Sequence, residues 1–356
     1  MAHDLVSHRA RVVVVVVTWN AEPHLDACFS SLARVVRAGL DLSLLVVDNG
    51  SSDGTVAALR ARHPEVEVLE AGRNLGFAGG NDLGMERALG RDAEWIYLLN
   101  PDTDVDPAFL VEAVAVGQAD PEAAAVQSLL LLHPERDLVN SAGNQVHFLG
   151  FGFCGAYRAP RASVPDEAVE IPFASGAAVL LRAAALRQAG LLDPTLFLYQ
   201  EDQDLGLRLR LAGWRARLAP RSLVWHHYAF SRNPAKYYWL ERNRYLVLAR
   251  NLTLRSLLVL ALPLAAAELG MLVLALAGGW LGQKLRADAA LLSPGLWAQV
   301  RAGRRQGAAQ RRISDRELAR WFTPALDFEG LQGGWLPRLL RWPMALAWRL
   351  LQPLLG

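Results

Sequence analysis

The sequence predicts an α/β fold, a mostly parallel sheet flanked by helices, followed by a helical region suited to a membrane surface. Three observations lead there. Apolar runs of strand length alternate with segments of helical periodicity through the first hundred residues. Polar, turn-forming loops fall at the carboxyl ends of those runs, where open α/β sheets bind ligands. Charge is divided unevenly: residues 1–230 carry 19 Lys/Arg against 28 Asp/Glu, while residues 231–356 carry 18 against 7 and hold 7 of the 11 Trp.

The composition narrows the class further. A chain of 356 residues that is 52% hydrophobic is not disordered and can bury a sizeable core. Its net charge of +2 conceals an acidic front joined to a basic, Trp-rich back, a pattern suited to an anionic surface. In that back half Arg interleaves with Leu and Ala runs rather than with polar readout residues, so a membrane is expected and nucleic acid is not. Two cysteines, Cys28 and Cys154, without a CxxC pair, exclude a disulfide framework and point to a reducing compartment.

Taken in order, Val12–Val17 follows Arg9 and Arg11 but falls short of the roughly 7–15 apolar residues of a signal peptide, and no small-residue cleavage site follows it. It reads as a central strand buried on both faces. His24–Ala38 sets Leu25, Cys28, Leu32, Val35 and Val36 at helical spacing. Leu42–Val47 is a second strand, stopped by the turn-rich Asp48-Asn49-Gly50-Ser51-Ser52-Asp53-Gly54. Thr55–Arg62 reads as helix and Val66–Leu69 as strand. A glycine-rich loop from Arg73 to Asn81 leads into a helix over 82–89. Trp95–Leu99 is a fourth strand, ending at Asn100-Pro101-Asp102-Thr103-Asp104. Phe173–Arg182 is a turn entering a strand, and Glu201, Asp202 and Asp204 open a helix that continues through Leu211.

Several of these polar groups have chemistry within reach. Asp102 and Asp104 lie two apart beyond a strand, so in extended backbone both project to one side. Two hard oxygens there suit Mg²⁺ or Mn²⁺ on a diphosphate, or else simply form a solvated turn. Asp48 ends a buried strand and can accept hydrogen bonds from a base or ribose, or belong to an ordinary turn with Ser52 or Asp53 capping the next helix. The acids at 201–204 either complement the helix dipole or present a general base at a cleft rim. His226 and His227, after Leu223–Trp225, are locally satisfied unless carboxylates converge on them.

Together these motifs carry a resemblance. Thr18-Trp19-Asn20, Val47 to Gly54, Asn74 to Asn81, Asn100 to Asp104, Glu201-Asp202-x-Asp204 and His226, in that order over roughly residues 10–255, resemble family 2 glycosyltransferases, especially their rhamnosyltransferase-like branch. The resemblance implies a GT-A fold and an inverting transfer of a sugar such as rhamnose from a nucleotide-diphosphate donor, with Mg²⁺ or Mn²⁺ as cofactor. It implies Asp48 at the nucleobase, with Thr18, Asn20, Ser51 and Asn81 lining the nucleoside pocket. Asp102 would face the ribose and the metal, Asp104 would be the main metal carboxylate, and His226 a further metal ligand, with His227 beside it as the open alternative. Asp202 would deprotonate the acceptor hydroxyl and Glu201 would shape the acceptor site. His226 fits the family's His-x-Tyr-x-Phe-Ser spacing through Tyr228 and Phe230, while Ala229 stands where that branch often has an acid. A nucleotidyltransferase or a dehydrogenase would want a glycine-rich phosphate loop after the first strand, and Thr18-Trp19-Asn20-Ala21-Glu22 is not one. A nucleotide-sugar-binding scaffold would not need Asp102, Asp104 and Asp202 together.

Leu257–Leu281 is an apolar stretch with one charge, Glu268, broken by Pro263 and Gly278-Gly279 and flanked on both sides by Arg and Lys. Basic flanks on both sides oppose a single crossing, so a re-entrant hairpin or in-plane helices fit better. Trp335, Leu339, Trp342, Leu346 and Leu350 then recur at helical spacing. The expected organisation is a catalytic domain over 1–230, its donor part about 10–110 and its acceptor part about 111–230. A connecting helix over 231–256 and a membrane-associated region over 257–356 follow. The expected location is the cytoplasmic face of the cell membrane, with a lipid-linked or cell-envelope glycan as acceptor.

Overall fold

The structure, a computed structural model, describes residues 9–228, 235–326 and 335–356. Ala229 and Phe230 lie outside the described residues, as does the side chain of Trp335.

The front of the chain builds four parallel strands, β1 (Ala10–Thr18), β2 (Leu40–Asp48), β3 (Glu67–Glu70) and β4 (Trp95–Leu99), in the spatial order β3-β2-β1-β4. Helices α1 (Glu22–Leu32), α2 (Thr55–Arg62) and α3 (Gly76–Leu89) connect them. Alternation in β1 serves both faces, as the unbroken valine run requires. Val12, Val14 and Val16 meet Leu25, Phe29 and Leu32 of α1, while Val13 and Val15 meet Ala78 and Met85 of α3.

The sheet then becomes mixed. After β5 (Thr103–Val105) and α4 (Phe109–Ala119) come β6 (Ala123–Leu132), β7 (Val139–Ser141), β8 (Asn144–His147), β9 (Gly152–Cys154), β10 (Val169–Glu170) and β11 (Ala178–Arg182). Helices α5 (Ala183–Ala189) and α6 (Glu201–Leu211) precede the long β12 (Arg215–His226). β11 inserts antiparallel between β4 and β6, β12 runs parallel to β6, and β5 pairs antiparallel with the end of β12.

Two boundaries differ from the sequence expectation for physical reasons. The glycine-rich stretch 76–81 is not a loop but the first turns of α3. A Cβ at Gly80 would sit 2.7 Å from Val17 Cγ1, and one at Gly84 would sit 2.4 Å from Val15 Cγ1, so glycine lets the helix lie against β1. The first helix stops at Leu32 rather than Ala38, because the chain turns back toward β2 and Val36 donates its N–H to the Pro107 carbonyl at 2.8 Å. Val35 keeps helical spacing yet buries from a loop.

The back is helical: α7 (Ala235–Asn251), α8 (Leu254–Val259), α9 (Ala261–Ala277), α10 (Leu281–Ala290), α11 (Pro294–Gln310), α12 (Asp315–Leu318) and α13 (Trp335–Leu351), with the short β13 (Phe322–Thr323) between the last two. β13 joins β8 in a small second sheet, so the tail closes onto the front. A separate core holds it there, in which Phe148, Leu246, Leu248, Leu260, Phe322 and Trp348 cluster. The apolar stretch 257–281 is divided among α8, α9 and the start of α10, and no helix among the described residues is long and apolar enough to cross a membrane.

Candidate active site

At the carboxyl ends of β1 and β2, four of the expected donor residues form one network. Thr18 Oγ1 donates to Asp48 Oδ1 at 3.2 Å, and Ser51 donates to Asp48 through its N–H at 3.0 Å and its hydroxyl at 2.5 Å. The Asn20 N–H reaches Ser51 Oγ at 2.9 Å, while Asn20 Oδ1 accepts the Ser52 N–H at 2.8 Å. Asn20 takes a positive φ of 51°, a conformation asparagine tolerates better than most residues. Asn81 is buried and donates its amide to the Phe77 carbonyl of its own helix. The neighbouring Asn49, for which the sequence reading had no role, ties this rim together by donating to Gly76 O at 2.9 Å and accepting the Leu75 N–H.

Beyond β4, the two aspartates divide between the two histidines. Pairing of β5 with β12 sets Asp104 opposite Trp225 and Thr103 opposite His226. Asp102 Oδ1 lies 3.3 Å from His226 Nε2, and Asp104 Oδ2 lies 3.4 Å from His227 Nε2. His133 stacks on His227 with ring centroids 3.7 Å apart, and Asp104, His133 and His227 each offer a ligand atom within 4.8 Å of the others. Residue types and spacing could not supply His133, which lies on a different strand end.

The donor chemistry here fits a divalent cation. The other ring nitrogen of His226, Nδ1, is 2.9 Å from Asn140 Oδ1. A proton on Nδ1 leaves the lone pair of Nε2 facing a carboxylate oxygen, an arrangement a cation satisfies and a neutral gap does not. When His226 Nε2 carries a proton instead, burial still pushes the Asp102 carboxyl up, but the hydrogen bond and charge from His226 more than offset that and hold it below the usual carboxylate range.

Asp202 opens α6 and faces the turn before β11. Its Oδ2 accepts the Gly176 N–H at 3.2 Å and its Oδ1 accepts the Gln203 N–H at 2.7 Å. Gly176 is hemmed in by the Phe77 ring, which a Cβ there would meet at 3.0 Å. One backbone bond joins this turn to the metal-type loop: the Asn100 N–H donates to Ala177 O at 2.9 Å, two residues before Asp102 and one after Gly176. Burial pushes Asp202 above the ordinary aspartate value, against the N–H donors that pull it down. Glu201 beside it is pushed well above its usual range by burial and by the charge on Asp202, and its buried Oε2 has no hydrogen-bond partner among the described residues. Asp204 is different in kind. It is buried and answered by Arg208 at 2.8 Å and Asn251 at 2.8 Å, so it locks α6 to α7.

This rim can bind a nucleotide, hold a cation near its phosphates and take a proton from an incoming hydroxyl. The sequence family described as "Glycosyltransferase like family 2" matches residues 8–245. The chain belongs to glycosyltransferase family 2. This glycosyltransferase is 31% identical over 247 residues to the N-acetylglucosaminyl-diphospho-decaprenol L-rhamnosyltransferase of Mycobacterium tuberculosis (strain ATCC 25618 / H37Rv), a match covering 63% of this chain and 79% of that one. Its fold is similar to the mannosyltransferase PcManGT from Pyrobaculum calidifontis, solved with GDP-Man and Mn²⁺, with a TM-score of 0.50 at 20% identity over 85% of this chain and 87% of that one. It is also similar to GalNAc-T7, solved with UDP, GalNAc and Mn²⁺, with a TM-score of 0.54 at 14% identity over 67% of this chain and 48% of that one, about half its length. The fold is that of the GT-A glycosyltransferases.

In the glycosyltransferase the loop that delivers Asp202 is strained and clamped. Phe197, Tyr199 and Gln200 all have positive φ, between 60° and 67°. Asn243, wholly buried in α7, donates its amide to Leu196 O at 2.8 Å, Leu198 O at 3.0 Å and Tyr199 O at 2.8 Å. On the other side the Phe197 carbonyl accepts the Ala78 N–H at 3.1 Å. The sequence did offer a signal for Asn243: it sits in Glu241-Arg242-Asn243-Arg244, a polar run between the aromatic and apolar stretches 237–240 and 245–249 of one helix. Its partners lie more than forty residues away, so the signal had no address.

Proposed function

We propose that this glycosyltransferase catalyses an inverting transfer from a nucleotide-diphosphate sugar to a lipid-linked or cell-envelope glycan, at the cytoplasmic face of a membrane. Asp48, with Thr18, Asn20, Ser51 and Asn81, receives the nucleoside. Asp102, Asp104 and His226 hold Mg²⁺ or Mn²⁺, with His227 and His133 close enough to Asp104 to share the task. A bound ion supplies Lewis-acid stabilisation of the charge on the departing diphosphate. Asp202 takes the proton of the acceptor hydroxyl as that oxygen attacks the anomeric carbon from the opposite face, so the bond to the diphosphate breaks with inversion and no covalent enzyme intermediate. The N–H groups of Gly176 and Gln203 fix both Asp202 oxygens for this role. Glu201, whose carboxyl burial and the charge on Asp202 push well above its usual range, shapes the acceptor side.

The observation that carries this reading is the Asn100–Ala177 backbone bond, which brings the Asp102 loop against the turn that holds Asp202. Rhamnose is the first sugar to test, because the mycobacterial relative is named for its transfer to N-acetylglucosaminyl-diphospho-decaprenol. The test offers a panel of nucleotide sugars, with that class of acceptor, in Mn²⁺ and in chelator. Metal-dependent release of nucleoside diphosphate with one donor is the expected result. No turnover of any donor in Mn²⁺ would overturn the proposal.

A further inference from the structure

Helix α9 is built inside out. Its one carboxylate, Glu268, points into the protein, where it accepts from Tyr245 and Lys284 and lies 3.5 Å from Arg244. Its large apolar residues do the opposite: Leu262, Leu269, Val273 and Leu276 are between 67% and 81% exposed. A helix of a soluble protein normally turns such a stripe to the core. On α13, likewise, Trp348 is buried against Phe148 and Phe322, while Leu339, Trp342, Leu346 and Leu350 stand 60% to 80% exposed.

Both helices rest on one core. Leu264 and Ala267 of α9 and Met344 and Leu351 of α13 pack on the same cluster, around Leu246, Leu260 and Trp348, which leaves the opposite sides of both helices uncovered. The carboxyl end of the chain lies against α8, where the Gly356 N–H donates to Ser256 Oγ at 3.3 Å, beside the exposed Leu254, Leu258 and Leu354. Uncovered apolar sides of this kind mark an interaction site rather than ordinary exposure.

Charge selects the occupant. Arg255 of α8, Arg338, Arg341 and Arg349 of α13, and Arg286 of the neighbouring α10 are exposed. The carboxylates of α9 and α10, Glu268 and Asp288, are both bonded by Lys284, and α13 has none. Two copies meeting through this face would set arginine against arginine, whereas anionic headgroups would answer each of them. A tryptophan and leucines beside arginines are the side chains of an interfacial helix. At 17 residues α9 is about 26 Å long, short of a ~30 Å hydrocarbon core, and its polar side is committed to the protein.

We propose that the outward faces of α8, α9 and α13 form one surface that lies in the plane of an anionic bilayer, inserting leucines and Trp342 among the acyl chains. This rests on the reading of the enzyme as one that works at a membrane, and it names the side chains that dock. The test uses the full-length protein in co-sedimentation with vesicles of zwitterionic lipid, with and without about one third phosphatidylglycerol. Three proteins are compared: wild type, Leu269→Glu with Val273→Glu, and Trp342→Glu with Leu346→Glu. All four side chains are exposed, so the substitutions leave the core intact. Each leucine withdrawn costs about tenfold in partitioning, so each double variant should bind at least tenfold more weakly, and wild type should prefer the anionic vesicles. Activity on a soluble, short-chain acceptor should be unchanged in both variants. Wild type that ignores vesicles, variants that bind as well as wild type, or a wild-type dimer that both variants split in gel filtration would each overturn the docking face. Vesicle binding that depends on these residues in a protein that turns over no sugar donor would retain the face and sink the enzymatic reading instead.

Discussion

At the carboxyl edge of the sheet, Asp102, Asp104 and Asp202 are partly exposed and Asp48 is buried, each held by N–H, hydroxyl or imidazole groups. In α9 the arrangement is reversed, with Glu268 drawn inward among Lys284, Arg244 and Tyr245 and leucines turned outward. The sheet edge is stabilised by an apolar core beneath polar loops, the ordinary way round. The helical back encloses charge and leaves an apolar side open, which in water is costly and at an interface is favourable. Where a carboxylate points is therefore evidence about what the adjoining surface faces.

If the two regions do separate tasks, damage to the sheet edge should leave vesicle binding untouched. The largest effect is expected from Asp202→Asn, which keeps the size of the side chain and one of its two N–H acceptors but cannot accept the proton. Turnover should fall by about 10²–10⁴ while calorimetric donor affinity stays near wild type. Near-normal turnover would remove Asp202 as base.

Asn243→Ala should follow, since it frees three carbonyls of a strained loop without touching substrate. A drop of ~10² in kcat at unchanged donor KM, with stability lower by about 1–3 kcal/mol, is expected. A loss confined to stability would make Asn243 a purely structural clamp.

A smaller effect is expected at Asn140, which touches only the far side of His226. Asn140→Ala should weaken Mn²⁺ about 10–100-fold, read as a shift in the metal titration of activity, with kcat recovered at saturating metal.

The least change concerns pH. Asp202 works as a base only when ionised, and burial raises its folded pKa above the ordinary aspartate value. Activity should therefore be present at higher pH and be lost as pH falls through that raised value. The acid limb of kcat should lie above pH ~4, where a free aspartate would place it. A limb at or below that pH would remove burial as the influence on this carboxylate.

Much of the front was legible because its signals are local. Six consecutive valines can only be a strand covered on both sides, and both sides are covered, by α1 and by α3. Turn-rich loops at strand ends also mark the rim without knowledge of the rest. The glycines at 76–84 were harder: glycine signals a turn by itself, and only the nearness of Val15 and Val17 makes it a helix contact. The basic back was misleading in part. Arg304 donates to the Ala249 and Leu252 carbonyls, Arg311 binds Asp315 at 2.8 Å, and Arg244 and Lys284 are wholly buried, so these cations hold helices together rather than facing a partner.

By itself, the order of residues determined the strand–helix alternation, the acidic loops at the strand ends, the family and the amphipathic periodicity of the tail, because each depends on neighbours within a few positions. The tertiary structure alone decided that Asp102 meets His226 while Asp104 meets His227 and His133, that Asn243 grips the loop carrying Asp202, and that α9 turns its glutamate in and its leucines out. Those outcomes depend on contacts between segments from 16 to more than a hundred residues apart. Composition and spacing hold no record of which distant partner a side chain will find once the core has closed.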